Sequence, residues 1–147
     1  MPGIASLRAC QYYGHPYNRF WPTMEALFGV PVALPYAQRT AALTAKGIAL
    51  WDVLKACERP GSLDSSILRS SEIPNDFNSF LDRHRQLQAI ALNGGTARDT
   101  FRRHVRPMLG PRLDRIEVIA LPSTSPANAS QTADAKLLHW RQLLRHV

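Results

Sequence analysis

Three short apolar runs, at residues 47–54, 87–92 and 115–121, are each bounded by turn residues and separated by stretches with helical spacing. Runs of that length suit strands buried on both faces, and strands that alternate with helices pair in parallel through crossover connections. The predicted class is therefore α/β. Helices are predicted over 18–28, ended by Gly29 and Pro31, over 35–45, ended by Lys46 and Gly47, and over 75–84, 96–108 and 129–146. Ala41, Ala42 and Leu43 form an apolar side on the second, and Phe101, Val105 and Met108 recur as a packing face on the fourth. No repeat or linker divides the chain, and 147 residues can bury a core without staples, so a single domain over 1–147 is expected.

Residues 11–21, QYYGHPYNRFW, obey neither a period of two nor one of 3.6. Flat aromatic surfaces alternate there with hydrogen-bonding groups, which suits a pocket that grips a planar heterocycle such as a nucleobase. The net charge of +7 and isoelectric point near 10.1 point to an acidic partner, with nucleic acid first. Only Lys46, Lys55 and Lys136 of the 18 basic residues are lysine; the rest are arginine, the better bidentate phosphate ligand. No apolar run approaches the roughly 20 residues needed to cross a bilayer, and no signal peptide is visible. Cys10 and Cys57 make no disulfide framework and stand at no metal-ligand spacing. A reducing cytoplasm is the expected compartment, with nucleoid association in a bacterium, and neither metal nor cofactor is expected.

Five segments carry a family resemblance: YYGHPYNRFW at 12–21, GIALWDVLKACERPGSLDSSI at 47–67, NDF at 75–77, ALNG at 91–94 and LPSTSPAN at 121–128. Together they resemble the uracil-DNA glycosylase superfamily, most of all its hypoxanthine (deoxyinosine) branch, with the mismatch-specific uracil and thymine glycosylases next. The likeness is collinear over about residues 2–140. It implies a three-layer α-β-α sandwich with a short parallel sheet, and a monofunctional DNA glycosylase of base excision repair. Such an enzyme hydrolyses the N-glycosidic bond of a deaminated base, hypoxanthine or uracil, flipped out of double-stranded DNA. It would act as a monomer without metal or cofactor. The alternatives are a catalytically inactive lesion- or DNA-binding protein and a mismatch-specific uracil glycosylase.

One departure from the family stands at the start. Similar proteins begin with an apolar strand, central in a four-stranded parallel sheet, that runs into a G-x-x-P-G loop; this chain opens at Met1-Pro2-Gly3. Either this central strand lies upstream of Met1, which is the expectation, or the chain is shortened, or the domain does without it. Met1 also stands where the mismatch branch carries the Asn that holds the attacking water. A thioether cannot orient that water. The resemblance to the hypoxanthine branch points instead to Asn18 as the catalytic amide, although Asn18 also suits the N-cap of the first predicted helix.

Tyr13 aligns with the aromatic that stacks on the flipped base, while Tyr12 is expected to face inward, and Phe20 and Trp21 to be core. His15 either donates to a phosphate or the base, or braces the turn before Pro16. LPSTSPAN lies between a predicted strand and a helix, at the sheet end where open α/β folds bind ligands. Ser123 and Ser125 would donate to DNA phosphates, helped by backbone amides opening the last helix, and Pro126 to Asn128 would form the wedge. Gly61 and Ser62 resemble a second phosphate-pinching loop. Asn75 either reads the base edge or, with Asp76, caps a helix; Asn93 sits at a strand end close to the site by topology.

Overall fold

The computed structural model describes residues 2–62 and 64–147, so Met1, and with it the substitution for a water-holding amide, lies outside the described residues. The chain forms two compact units, one of residues 52–121 and one of residues 2–51 with 122–147.

In the first unit, β3 (Ala89–Asn93) and β4 (Glu117–Leu121) pair in parallel from Ala89 opposite Glu117 to Asn93 opposite Leu121. Two of the three apolar runs thus form the small parallel sheet expected of them. The third does not. Of residues 47–54 only Leu54 enters a strand, β1 (Leu54–Ala56), and it pairs antiparallel with β2 (Ile73–Pro74). Asn75 explains part of this: its backbone N–H donates to the Val53 carbonyl at 3.0 Å and its Nδ2 to the Asp52 carbonyl at 2.8 Å, which takes both groups out of any further ladder. Among the described residues the parallel sheet therefore has two strands, not four.

A parallel pair needs a long crossover. Here α5 (Gly95–Thr100), a π-helical turn (Phe101–Val105), α6 (Arg106–Leu109) and a 3-10 turn (Gly110–Arg115) supply it. The π turn, marked by the Arg106 N–H donating to the Phe101 carbonyl five residues back, precedes Pro107, which has no N–H to continue an α-helical ladder. It also corrects the predicted packing face. Phe101, at 2% exposure, and Val105 are buried, but the added residue rotates the next turn so that Leu109 is buried and Met108 is 39% exposed. Phe77 and Leu81 of α4 (Phe77–Arg83) join Leu92, Phe101, Val105, Leu109 and Ile116 in the core. Glu72, ahead of β2, is tied to this turn: Arg103 donates to it twice at 3.0 Å and His104 Nε2 lies 2.6 Å away.

The second unit holds α1 (Ile4–Ala9), α2 (Phe20–Phe28), α3 (Tyr36–Ala45) and α7 (Ala133–Trp140), the last followed by a 3-10 turn (Arg141–His146). Helix α1 has no counterpart in the sequence-based expectations. Helix α2 starts two residues later than expected, and Gly29 ends it in the left-handed region at φ 66°, where glycine carries no Cβ penalty. On α3 only Leu43 is buried; Ala41 faces solvent. Helix α7 begins at Ala133 because the Thr132 hydroxyl accepts from the Ala135 N–H, so residues 129–132 and LPSTSPAN stand outside it. The core is aromatic: Phe20 meets Trp21 and Trp140 edge-on at 5.2 and 6.0 Å, with Met24, Phe28, Val30 and Leu43 also buried.

Candidate functional site

The segment HPYNRFW folds into a tight turn. The Asn18 N–H donates to the His15 carbonyl at 2.9 Å, closing a turn with Pro16 and Tyr17 at its tip, and the Tyr17 N–H donates to His15 Nδ1 at 3.2 Å. His15 thus braces the turn through Nδ1, which as acceptor puts the proton of a neutral ring on Nε2, on an exposed side chain able to donate outward. Asn18 Oδ1 accepts the Phe20 N–H at 3.0 Å, satisfying one of the first amides of α2 from just outside the helix; Arg19 occupies the cap position itself. An amide oxygen has two lone pairs, so this bond leaves one for a water.

Tyr13 lies next to a buried partner. Its ring stacks on Phe20 with centroids 3.9 Å apart and planes 18° from parallel, so a base stacking on Tyr13 must use the opposite face. The backbone of Tyr13 is left-handed at φ 56°, an uncommon conformation for a bulky residue. Its neighbours hold it there. The Gly14 N–H donates to the buried Ser6 hydroxyl at 3.0 Å, and a Cβ on Gly14 would come 3.2 Å from the Ser6 Cα, so only glycine approaches α1 this closely without displacement. On the other side the Tyr12 N–H donates to the Tyr36 hydroxyl at 2.9 Å, and Trp21 Nε1 donates to the Tyr12 carbonyl at 3.2 Å. Phe20 and Trp21 are core, as expected.

LPSTSPAN meets HPYNRFW directly: the Arg19 N–H donates to the carbonyl of Thr124, itself buried, at 3.0 Å. Within the loop the Ser125 N–H donates to the Ser123 hydroxyl at 3.2 Å and the Ala127 N–H to the Ser125 hydroxyl at 3.3 Å. Each hydroxyl acts here as acceptor, and its own O–H is left to donate to an anion. The Asn128 N–H returns to the Ser125 carbonyl at 3.1 Å, so Pro126 and Ala127 form an exposed tip.

The sequence analysis gave Lys136 no part in the site, yet, 8% exposed on α7, it donates from Nζ to the Asn128 carbonyl at 2.5 Å. Nothing in the spacing marks it; only the return of α7 beside the loop does. Trp140 Nε1 adds a bond to the Pro122 carbonyl at 3.0 Å, and the Ser130 hydroxyl one to Asn128 Oδ1 at 2.7 Å. The loop is thereby held from both flanks by α7, rather than opening that helix as expected.

Tyr13, His15, Asn18, Ser123, Ser125, Pro126 and Asn128 thus belong to one unit, and Gly61, Ser62, Asn75 and Asn93 to the other. Gly61, at φ 69°, lies in the 3-10 turn Pro60–Ser62, where conformation rather than space favours glycine. The Nδ2 of Asn75 is committed to Asp52, and the cap of α4 falls to Asp76, whose carboxylate accepts the Ser79 N–H at 3.0 Å and the Ser79 hydroxyl at 2.5 Å. Those bonds from Ser79 hold the Asp76 carboxyl below its usual range. Asn93 ends β3 opposite Leu121, the first residue of LPSTSPAN, and the Gly94 N–H closes that end on the Leu121 carbonyl at 2.9 Å.

No family model matches the chain. A hypoxanthine DNA glycosylase from Methanosarcina acetivorans is 33% identical over 147 residues, covering 99% of this chain and 87% of that protein. One from Methanosarcina barkeri is 39% identical over 95 residues, 64% of this chain and 59% of the relative's length. The solution NMR structure of a provisionally assigned uracil DNA glycosylase from Methanosarcina acetivorans superposes with a TM-score of 0.79 at 33% identity, over 99% of this chain and 84% of that one. Identity at this level across nearly the whole chain joins two motifs bonded to each other around an aromatic stack, and by both measures the chain belongs to the hypoxanthine DNA glycosylase branch of the uracil-DNA glycosylase superfamily.

Proposed function

We propose that this protein is a monofunctional DNA glycosylase that hydrolyses the N-glycosidic bond of hypoxanthine in deoxyinosine, with uracil as a second substrate, and that residues 1–147 act as one catalytic domain. The observation that carries it is the bond between the Arg19 N–H and the Thr124 carbonyl, which joins a half-buried aromatic and amide pair to a loop of serine hydroxyls across more than a hundred residues of chain. That pairing answers what the reaction needs. The target base must leave the stack at a cost of about a few kcal/mol, lowest for a mispaired base, and then be gripped. Tyr13 would stack on it through the face away from Phe20. Asn18, through its second lone pair, would hold the water whose oxygen attacks the sugar carbon as the electrons of the breaking C–N bond pass to the base. The sugar becomes oxocarbenium-like on the way, so positioning and electrostatics do most of the work. Ser123, Ser125 and an exposed His15 would donate to the flanking phosphates, with Gly61 and Ser62 as a further phosphate contact, while Asn75 Oδ1 and Asn93 are the remaining candidates for the base edge.

Among the described residues no helix is long and apolar enough to cross a membrane. We take the working form as a cytoplasmic monomer that needs no metal or cofactor. The bond from Phe20 to Asn18 Oδ1 favours one rival, a lesion-binding protein in which Asn18 only caps. Incubating the protein with deoxyinosine duplex and scoring alkali-labile abasic sites decides between them: strand breaks at the lesion are expected, and binding without breaks would leave the rival. Borohydride added during the reaction should trap no protein–DNA adduct; an adduct lost in Lys136→Met would overturn the monofunctional assignment.

A further inference from the structure

Tyr17 is the most exposed large apolar side chain among the described residues, at 76%, although it sits inside the motif that carries the site. Single exposed aromatics are ordinary. Three observations set this one apart. Its turn is locked from both sides, by the His15 carbonyl and Nδ1 before it and by Asn18, bonded to Phe20, after it, so the ring is presented on a backbone that loses little freedom on binding. The His15 ring lies 5.8 Å from the Tyr17 ring, tilted by 50°, which supports its base while leaving its end in water. The same turn is bonded through Arg19 to LPSTSPAN, whose tip offers only Pro126 and Ala127.

A nucleotide that leaves the helix vacates a space the size of a base, and its former neighbours lose their stacking unless a flat or bulky group replaces it. A proline and an alanine cannot cover a base-sized area; a phenol ring can. Resting on the glycosylase reading above, we infer that Tyr17 is the inserting aromatic, entering the duplex at the vacated position, with Pro126 as its smaller companion. Tyr13 would hold the flipped base, and Tyr17 would hold the hole open. Its hydroxyl has no required partner, so the ring alone carries the role.

A duplex containing a tetrahydrofuran abasic analogue tests this without needing catalysis, because it offers the hole but no base to grip. The wild-type protein is expected to prefer it to intact duplex. Tyr17→Ala should weaken binding to the abasic duplex by about 5- to 150-fold, the span of one lost aromatic stack, and change affinity for intact duplex less than about twofold. Tyr17→Phe should behave as wild type. An equal loss on both duplexes, an unchanged abasic preference in Tyr17→Ala, or a loss in Tyr17→Phe as large as in Tyr17→Ala would each overturn the assignment. Failure of the wild type to cleave deoxyinosine duplex would instead sink the catalytic reading, while the abasic comparison still decides Tyr17.

Discussion

Residues 52–121 carry a core of aliphatic and phenyl side chains packed with a hydrogen-bonded strand pair, whereas the unit of 2–51 and 122–147 has no strand among its described residues. It is held instead by tryptophan and tyrosine rings and by side chains that reach backbone groups in loops. Packing of the first kind tolerates no lost volume but leaves few polar groups open at a surface. Packing of the second kind spends ring edges and hydroxyls on holding loops, and presents the remaining lone pairs and ring faces together. Stability should therefore respond most in the first unit and chemistry most in the second.

The largest expected effect tests the first half of that contrast. Phe101→Ala removes a ring that meets Phe77 edge-on at 5.8 Å inside the aliphatic core and should cost about 3–5 kcal/mol in a denaturant titration. A loss below about 1 kcal/mol would mean that this core collapses around the cavity. Asn18→Ala then probes the second half: single-turnover base release should fall at least about a hundredfold. The accompanying melt should show only about 1 kcal/mol, the range of a lost helix-start bond. Cleavage within a fewfold of wild type would reduce Asn18 to that structural role.

Tyr13→Ala should weaken binding to deoxyinosine duplex by about 1–3 kcal/mol and leave undamaged duplex nearly unchanged, since only a flipped base can stack. Equal losses on both would place Tyr13 outside the base pocket. The smallest effect belongs to Glu72. Burial opposes its charged form, but bonds from His104 and Arg103 outweigh burial and hold its pKa below the ordinary 4.5. A depressed carboxyl contributes stability that is fully present above the unfolded value and lost as pH falls through the folded one. Wild-type stability should thus decline as pH drops below about 4.5, and Glu72→Gln should flatten that decline. With Arg103 about a third exposed, the pair should contribute no more than about 1 kcal/mol at neutral pH. Identical acid profiles for the two proteins would show that other carboxylates govern it.

Much of this arrangement was legible in the chain itself. Apolar runs bounded by turns located β3 and β4 to within two residues, although the strands are not buried on both faces: Leu92, Ile119 and Leu121 are buried while Ala91, Val118 and Ala120 are exposed, as the alternation of a half-covered sheet requires. The glycine that ends α2 and the aromatic crowding that marks the site are local as well. Residues 47–54 failed as a parallel strand because an apolar run states that a segment is buried without naming its partner, and Asn75 had already claimed the carbonyls of Asp52 and Val53. Met108 failed as core because one π turn, required where Pro107 lacks a donor, rotates every later residue, and periodicity assumes a constant rotation.

Composition and motif order determined the class of protein and named the residues proposed for its site. Tertiary structure alone decided which of them meet: the Arg19 amide on the Thr124 carbonyl, the Lys136 ammonium on Asn128, and the stack of Tyr13 on Phe20. Periodicity records which way a side chain faces relative to its own segment. A hydrogen bond between segments a hundred residues apart depends on distances and angles that exist only once both have packed.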